Sequence, residues 1–315
     1  MAAETCWCNR VSGVTGFTDG VHIGVTDTDY HADRGSLSSS GAKLLVPPSV
    51  PAIFRYRMDS APVLARHYDV GHVTHRLVLG EGSEFEVLDP EVVGLKTDGT
   101  VASTPRATTA WKAADKIARA AGRVPIEVSD YRAAQAMANA VHAHPLAGPL
   151  FTEGQAETSW YATCPDTGVQ LRARPDWVNF DEDDHVTLVD FKTAATAEPR
   201  QFGRDACNYG YHLQEAFYRR VAALLGFEVD RFLFVVAEKT APHLVAVHEF
   251  DPKQIELADE LVGDAIRLFA ECTQTGNWPG YPPEVNRMSI PPWCLPQAET
   301  LGDLLTDNYE LLEQL

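Results

Sequence analysis

The spacing of apolar positions along this chain changes near its middle. In the first half it is helical, with apolar residues recurring at three and four. The segment 37–45 opens with serines able to cap a helix and is stopped by Pro47-Pro48. Further helices are predicted over about 61–79, with Val70, Val73, Leu77 and Leu79 as packing residues, over 107–121, and over 129–142, where Ala133, Ala136 and Val141 are apolar. From 157 the period shortens to two. Segments 157–163, 169–178 and 186–193 read as three successive strands, with a polar turn over 179–184. Helical spacing returns over 211–225 and stops at Gly226. Strands are predicted over 232–236 and 244–250. Asp251-Pro252 then opens a long helix to about Thr275, closed by Gly276. Another amphipathic helix is predicted over 300–315. This order predicts an α/β domain, a central mixed sheet flanked by helices with a helical N-terminal part, over residues 35–295. Residues 1–34 read as an irregular arm and 296–315 as a terminal helix.

Composition narrows the class. The 315 residues are 45% hydrophobic and 22% charged, ordinary for a soluble globular protein. No apolar run reaches membrane-spanning length, and 1–10 lacks a secretory pattern. The six cysteines form no CxxC pair, and Cys272 and Cys294 are poorly spaced for an iron–sulfur cluster. Free thiols in a reducing cytoplasm are expected. The net charge of −18 argues against a protein that coats DNA. It leaves room for a narrow basic channel, for which Arg172, Arg174, Arg200 and Arg204 are the candidates. No P-loop or GxGxxG is present, so an ATP-driven helicase is not encoded here.

The chemistry concentrates in Pro175-Asp176 and Asp190-Phe191-Lys192. Asp190 and Lys192 are two apart, so on a strand they share a face. Asp176 can approach them across the turn. Two carboxylates able to hold a divalent cation, with an amine beside them, suffice to hydrolyse a phosphodiester. The plain alternative is a salt-bridge cluster at a strand end. Around this core stand Glu157 on the preceding strand, His72 and His75 one turn apart on a helix, and Gln214 and Tyr218 at i,i+4 on a later helix. Each alone reads as packing, capping or solvated surface. Asp181 to Asp184 lacks the glycine and distal glutamate of a calcium loop, and His142 and His144 read as a helix end before Pro145.

Taken in order, Gly71-xxx-His75, Glu157, Arg174-Pro-Asp176, Asp190-Phe-Lys192 and Gln214-xxx-Tyr218 resemble the PD-(D/E)xK nuclease superfamily in its RecB-like branch. The set is most similar to the RecE-type (exodeoxyribonuclease VIII-like) phage exonucleases. Tyr30-His31, the 37–43 segment and Trp278-Pro-Gly-Tyr also resemble segments of that group, so the likeness spans about 30–293. It implies a restriction-endonuclease-like core. It implies Mg²⁺ or Mn²⁺ held by Asp176 and Asp190, with His75 and Glu157 completing the shell. Lys192 would orient and help deprotonate the attacking water, and Gln214 and Tyr218 would position Lys192 or the DNA backbone. The implied activity is removal of nucleotides from duplex DNA ends, 5′ to 3′, leaving single-stranded tails for recombination. The implied partners are duplex ends, a strand-annealing protein and further copies in a ring, inside a bacterial or phage-infected cell and away from membranes. The other readings are an idle scaffold that keeps the fold, to which the acidic balance points, and a nuclease for single strands or flaps.

Overall fold

The computed structural model describes residues 16–60, 69–181, 184–291 and 294. Residues up to Gly280 form one compact unit, and those from Tyr281 fall in a second. The expected helix over 300–315 and the first part of that over 61–79 lie outside the described residues.

The first unit is built on a five-stranded sheet. Its order is Val245–His248, Glu228–Glu238, His185–Ala194, Trp177–Phe180, Gln155–Ala156. His185–Ala194 pairs parallel with Glu228–Glu238 and antiparallel with Trp177–Phe180, so the sheet is mixed. The parallel pair requires a long crossover, and helices Pro199–Tyr209 and Tyr211–Leu224 supply it. Both faces of the sheet are covered, which explains the unbroken apolar run Phe232 to Ala237. Val186, Leu188, Phe232 and Phe234 pack with Phe202, Phe217 and Val221 of the crossover helices and Ile266 of the long helix Pro252–Thr275. On the opposite face Val189, Phe191 and Val235 pack with Val78 of helix Asp69–Leu79 and Val141 of helix Val128–Ala143. No described helix is long and apolar enough to cross a membrane.

A second sheet has the order Gly20–His22, Ser159–Thr163, Gln170–Ala173, Leu37–Ser38. Its first strand lies in the stretch read from sequence as irregular; three residues are too few to show an alternation. Beside it, Phe85–Leu88 and Val124–Glu127 form a parallel pair. The expected helices are present as Ser39–Lys43, capped by the Ser38 hydroxyl, Thr109–Ala120 and Val128–Ala143. Helix Pro199–Tyr209 was not anticipated. After the long helix, Trp278 stacks on Phe54 at 5.2 Å.

The single strand expected over 169–178 is two strands in two sheets. Gln170–Ala173 pairs with Ser159–Thr163, whereas Trp177–Phe180 pairs with Gln155–Ala156 and His185–Ala194. Pro175 has no N–H to give a ladder, so the strand breaks there. The strand segment opposite breaks at the same level, between Ala156 and Ser159. Glu157 is not on a strand; it adopts φ 53, the left-handed region that non-glycine residues seldom enter. One hydrogen bond, Glu157 N–H to Asp176 O at 3.1 Å, ties the two breaks together. The sheets fork at this seam.

Candidate active site

Backbone left over by the fork places the carboxylates. The ladder between Trp177–Phe180 and His185–Ala194 ends at the Trp177–Val189 pair. The Phe191 N–H, which a continuing strand would have bonded, donates instead to Asp176 Oδ2 at 2.7 Å. Glu157 and Asp176 are thus held side by side. Helix Asp69–Leu79 brings the third group. A Cβ on Gly71 would lie 3.5 Å from Thr193 Oγ1, so this turn of the helix rests on the strand end. His75 is one turn further on the same face. Its Nδ1 is 3.4 Å from Glu157 Oε1 and its Nε2 is 3.2 Å from Asp176 Oδ2. The next turn, at Gly82 with φ 115, leaves the space above the pair open; a Cβ there would stand 3.7 Å from His75 Nδ1 and 3.9 Å from Glu157 Oε1.

One nitrogen and two carboxylate oxygens from His75, Glu157 and Asp176 lie within 4.8 Å of one another. Ligands across a small divalent ion bound at about 2.1 Å are about 4 Å apart. The donor set therefore fits one Mg²⁺ or Mn²⁺ ion.

Asp190 stands beside this group, pointing to the other face of its strand. Its Oδ1 accepts from Gln214 Nε2 at 2.6 Å, and its Oδ2 has the Lys192 ammonium at 2.6 Å. No other donor among the described residues reaches Oδ2. Both oxygens are engaged, so Asp190 borders the three-residue cluster and is not a fourth member of it in this arrangement. Tyr218 donates to the Arg174 carbonyl at 3.0 Å, immediately before Pro175-Asp176. Gln214 and Tyr218 thus hold the two acid-bearing segments. Gln214 and Lys192 meet through the Asp190 carboxylate that both engage.

Electrostatics follow from burial and like charge. Burial disfavours the His75 imidazolium, but the Asp176 and then the Glu157 carboxylates outweigh it and lift its pKa to about 9. Burial, then the Asp176 charge, pushes Glu157 up to about 7. Asp176 is partly buried, which acts to raise it, yet His75, Lys192 and the Phe191 N–H hold it below the usual carboxylate range. Asp190 is raised by burial, which the Lys192 charge only partly offsets. Burial acts against the Lys192 charge too, but Asp190 and Asp176 outweigh it and raise its pKa. Beside Asp190, Lys192 stands as a hydrogen-bond donor and a counter-charge.

Two expected channel residues prove structural. Arg174 is 8% exposed and donates to Ser159 Oγ at 2.7 Å, Val25 O at 3.0 Å and Asp27 at 2.9 Å, with the Tyr30 ring 4.0 Å from its guanidinium. Arg172 is 5% exposed and pairs with Asp33 at 3.1 Å. A buried guanidinium needs such partners, and their use here leaves neither arginine free to line a groove. Arg200 and Arg204 are exposed on helix Pro199–Tyr209. His144 accepts from the N–H of Leu146 and Ala147, at the helix end read there from the sequence.

Sequence reasoning missed Tyr211, whose ring centre is 4.9 Å from the Lys192 ammonium. Its signal was present: Tyr211, Gln214 and Tyr218 follow the three-then-four spacing of one helix face. Gly82 had no comparable signal, because its place over His75 depends on the fold.

A mixed sheet covered by helices on both faces, with an acid–lysine strand at its centre, defines a PD-(D/E)xK-type nuclease fold. The model of a family described as PDDEXK-like domain of unknown function (DUF3799) matches residues 72–289, and the chain belongs to that family. A comparison with curated proteins returns no match. Among solved structures, a Eubacterium rectale protein named as a candidate exonuclease is similar over 81% of this chain and 88% of its own, with a TM-score of 0.53 at 10% identity. A second, SSO0001, aligns over 64% of this chain and 85% of its own at 10% identity, with a TM-score of 0.26, too low to support an argument.

Proposed function

We propose that this protein is a metal-dependent exodeoxyribonuclease that degrades duplex DNA from its ends, 5′ to 3′, and leaves single-stranded tails for recombination. The observation that carries the reading is the seam: two strand breaks and one helix bring His75, Glu157 and Asp176 within reach of one cation, with Asp190 and Lys192 alongside. The name of the Eubacterium rectale protein supports the same reading. So does the ordered set of residues that resembles those of RecE-type enzymes. A strand-annealing partner and a ring of copies around the duplex belong to the same proposal.

His75, Glu157 and Asp176 would hold the ion, and Asp190 would join them once Lys192 turns toward DNA. When bound, Mg²⁺ or Mn²⁺ polarises the phosphate and lowers the pKa of a coordinated water. Lys192, held protonated, donates to a phosphate oxygen and offsets the charge that develops there. Gln214 keeps Asp190 oriented. Tyr218, through the Arg174 carbonyl, keeps Asp176 at the seam.

The test uses linear duplex labelled at the 5′ or 3′ end, beside closed circular duplex, with Mg²⁺ or Mn²⁺. The 5′ label should be released first and the circle should survive. Asp176→Ala and Lys192→Ala should each slow release by about 10²-fold or more. Intact linear DNA, or equal cutting of the circle, would refute the exonuclease reading.

A further inference from the structure

Lys43 ends the short helix Ser39–Lys43, and its stem lies against the backbone of Gly210. Gly210 has φ 66, a conformation glycine adopts at little cost. A Cβ there would stand 3.3 Å from Lys43 Cδ, so the bare turn between the two crossover helices makes room for the lysine. The Lys43 ammonium then lies 5.6 Å from the centre of the Tyr211 ring, and the Lys192 ammonium lies 4.9 Å from the same centre. Two cations lie against one aromatic ring. Lys192 has Asp190 as its counter-ion. Lys43 has no carboxylate within ion-pair distance among the described residues.

A half-buried ammonium next to another cation is costly unless an anion completes the arrangement. Burial, then the Lys192 charge, pushes Lys43 down to about 8, opposed by the Asp190 charge. The neighbouring arginines cannot substitute for it in binding an incoming anion, because Arg172 and Arg174 are committed to Asp33 and Asp27. A polymer that presents a phosphate to the metal cluster presents another one nucleotide away, and a lysine binds phosphate as a point charge.

We propose that Lys43 binds a backbone phosphate of the DNA strand, the one adjoining the phosphate offered to His75, Glu157 and Asp176, so that Lys43 and Lys192, both against the Tyr211 ring, hold consecutive phosphates. This rests on the nuclease reading and adds to it a phosphate-binding residue that lies outside the span matched by the family.

The experiment measures DNA binding by anisotropy with the full chain carrying Asp176→Asn, so that binding is read without cleavage. Above about 0.1 M salt, adding Lys43→Gln should make the slope of log K against log salt shallower by about 0.7 to 0.9, the share of one phosphate contact. Lys43→Arg should keep the slope. A neutral methylphosphonate at the adjoining position should weaken binding when Lys43 is present and have no effect on Lys43→Gln, a coupling that a merely structural role would not produce. An unchanged slope in Lys43→Gln, or equal methylphosphonate effects in both proteins, overturns the assignment. If DNA is cut as proposed above yet either of those results is obtained, only the Lys43 assignment fails. If the protein binds no DNA at all, the nuclease reading fails with it.

Discussion

Three side chains at the seam compete for protons, and that competition has a measurable consequence. His75 is raised to about 9 and Glu157 to about 7 without metal. A histidine whose folded pKa exceeds its unfolded value of about 6.5 contributes stability that is complete below that value. The contribution is lost as pH rises through about 9. Glu157, also raised, binds more protons folded than unfolded between about 4.5 and 7, so stability falls through that window as well. The contribution of these two groups to the stability of metal-free protein should therefore fall between about pH 5 and 9. A bound cation reverses this, because it needs neutral His75 and ionised Glu157. Its affinity should rise about tenfold per pH unit where one proton is released. Thermal melts with and without Mn²⁺ between pH 6 and 9 measure both effects. The increase in Tm on adding Mn²⁺ should grow with pH and vanish in His75→Ala. A Mn²⁺ effect that is the same at pH 6 and 9 would show that these groups do not hold the ion.

At the level of elements, helix Tyr211–Leu224 supports the site from one side. Gln214 and Tyr218, one turn apart, fix the Asp190 carboxylate and the Arg174 carbonyl. Gln214→Ala removes a charge-assisted hydrogen bond from a carboxylate that is 1% exposed and should cost about 1.5–3 kcal/mol in a urea melt. Tyr218→Phe loses a neutral bond and should cost about 0.5–1.5 kcal/mol. The two should also separate in function. Gln214→Ala raises the Asp190 pKa further and should shift the pH profile of cleavage upward, whereas Tyr218→Phe should leave that profile in place. Identical profiles would mean that Gln214 does not tune Asp190. Much of this element was legible in the sequence, since helical period and the stop at Gly226 need only local information. The seam was legible in part. Pro175 announces a break, but the matching break at Glu157 depends on a left-handed residue with no sequence signature. The run 169–178 therefore read as one strand although it serves two sheets. Lys43 stands in a segment that resembles the nuclease group, but its place beside Tyr211 and that of Gly82 over His75 were not legible: they come from neighbours more than fifty residues away in one case and from the turn of a loop in the other.

For the whole molecule, the proposed function raises the question of how a chain of net charge −18 would approach a polyanion. Most described arginines in ion pairs face carboxylates of their own fold: Arg106 with Glu127 and Asp130, Arg119 with Asp69 and Asp115, Arg220 with Asp259, and Arg231 with Glu249. Such pairs leave little cationic surface to attract DNA from a distance. On the proposed function, attraction at close range would come from the site, where the two lysines lie beside Tyr211. The repulsive field of the body acts over a Debye length, about 30 Å at 0.01 M salt and about 10 Å at 0.1 M, whereas the contacts at the site act at a few ångströms. Added salt should therefore first weaken the repulsion and only later the local phosphate contacts. Initial cleavage rates at fixed free Mn²⁺ should rise between about 0.01 and 0.1 M salt and fall beyond it. A protein that attracts DNA over its whole surface would instead lose rate from the lowest salt onward. A monotonic decline would show that residues beyond the two lysines, Arg200 and Arg204 first among them, extend the grip along the duplex.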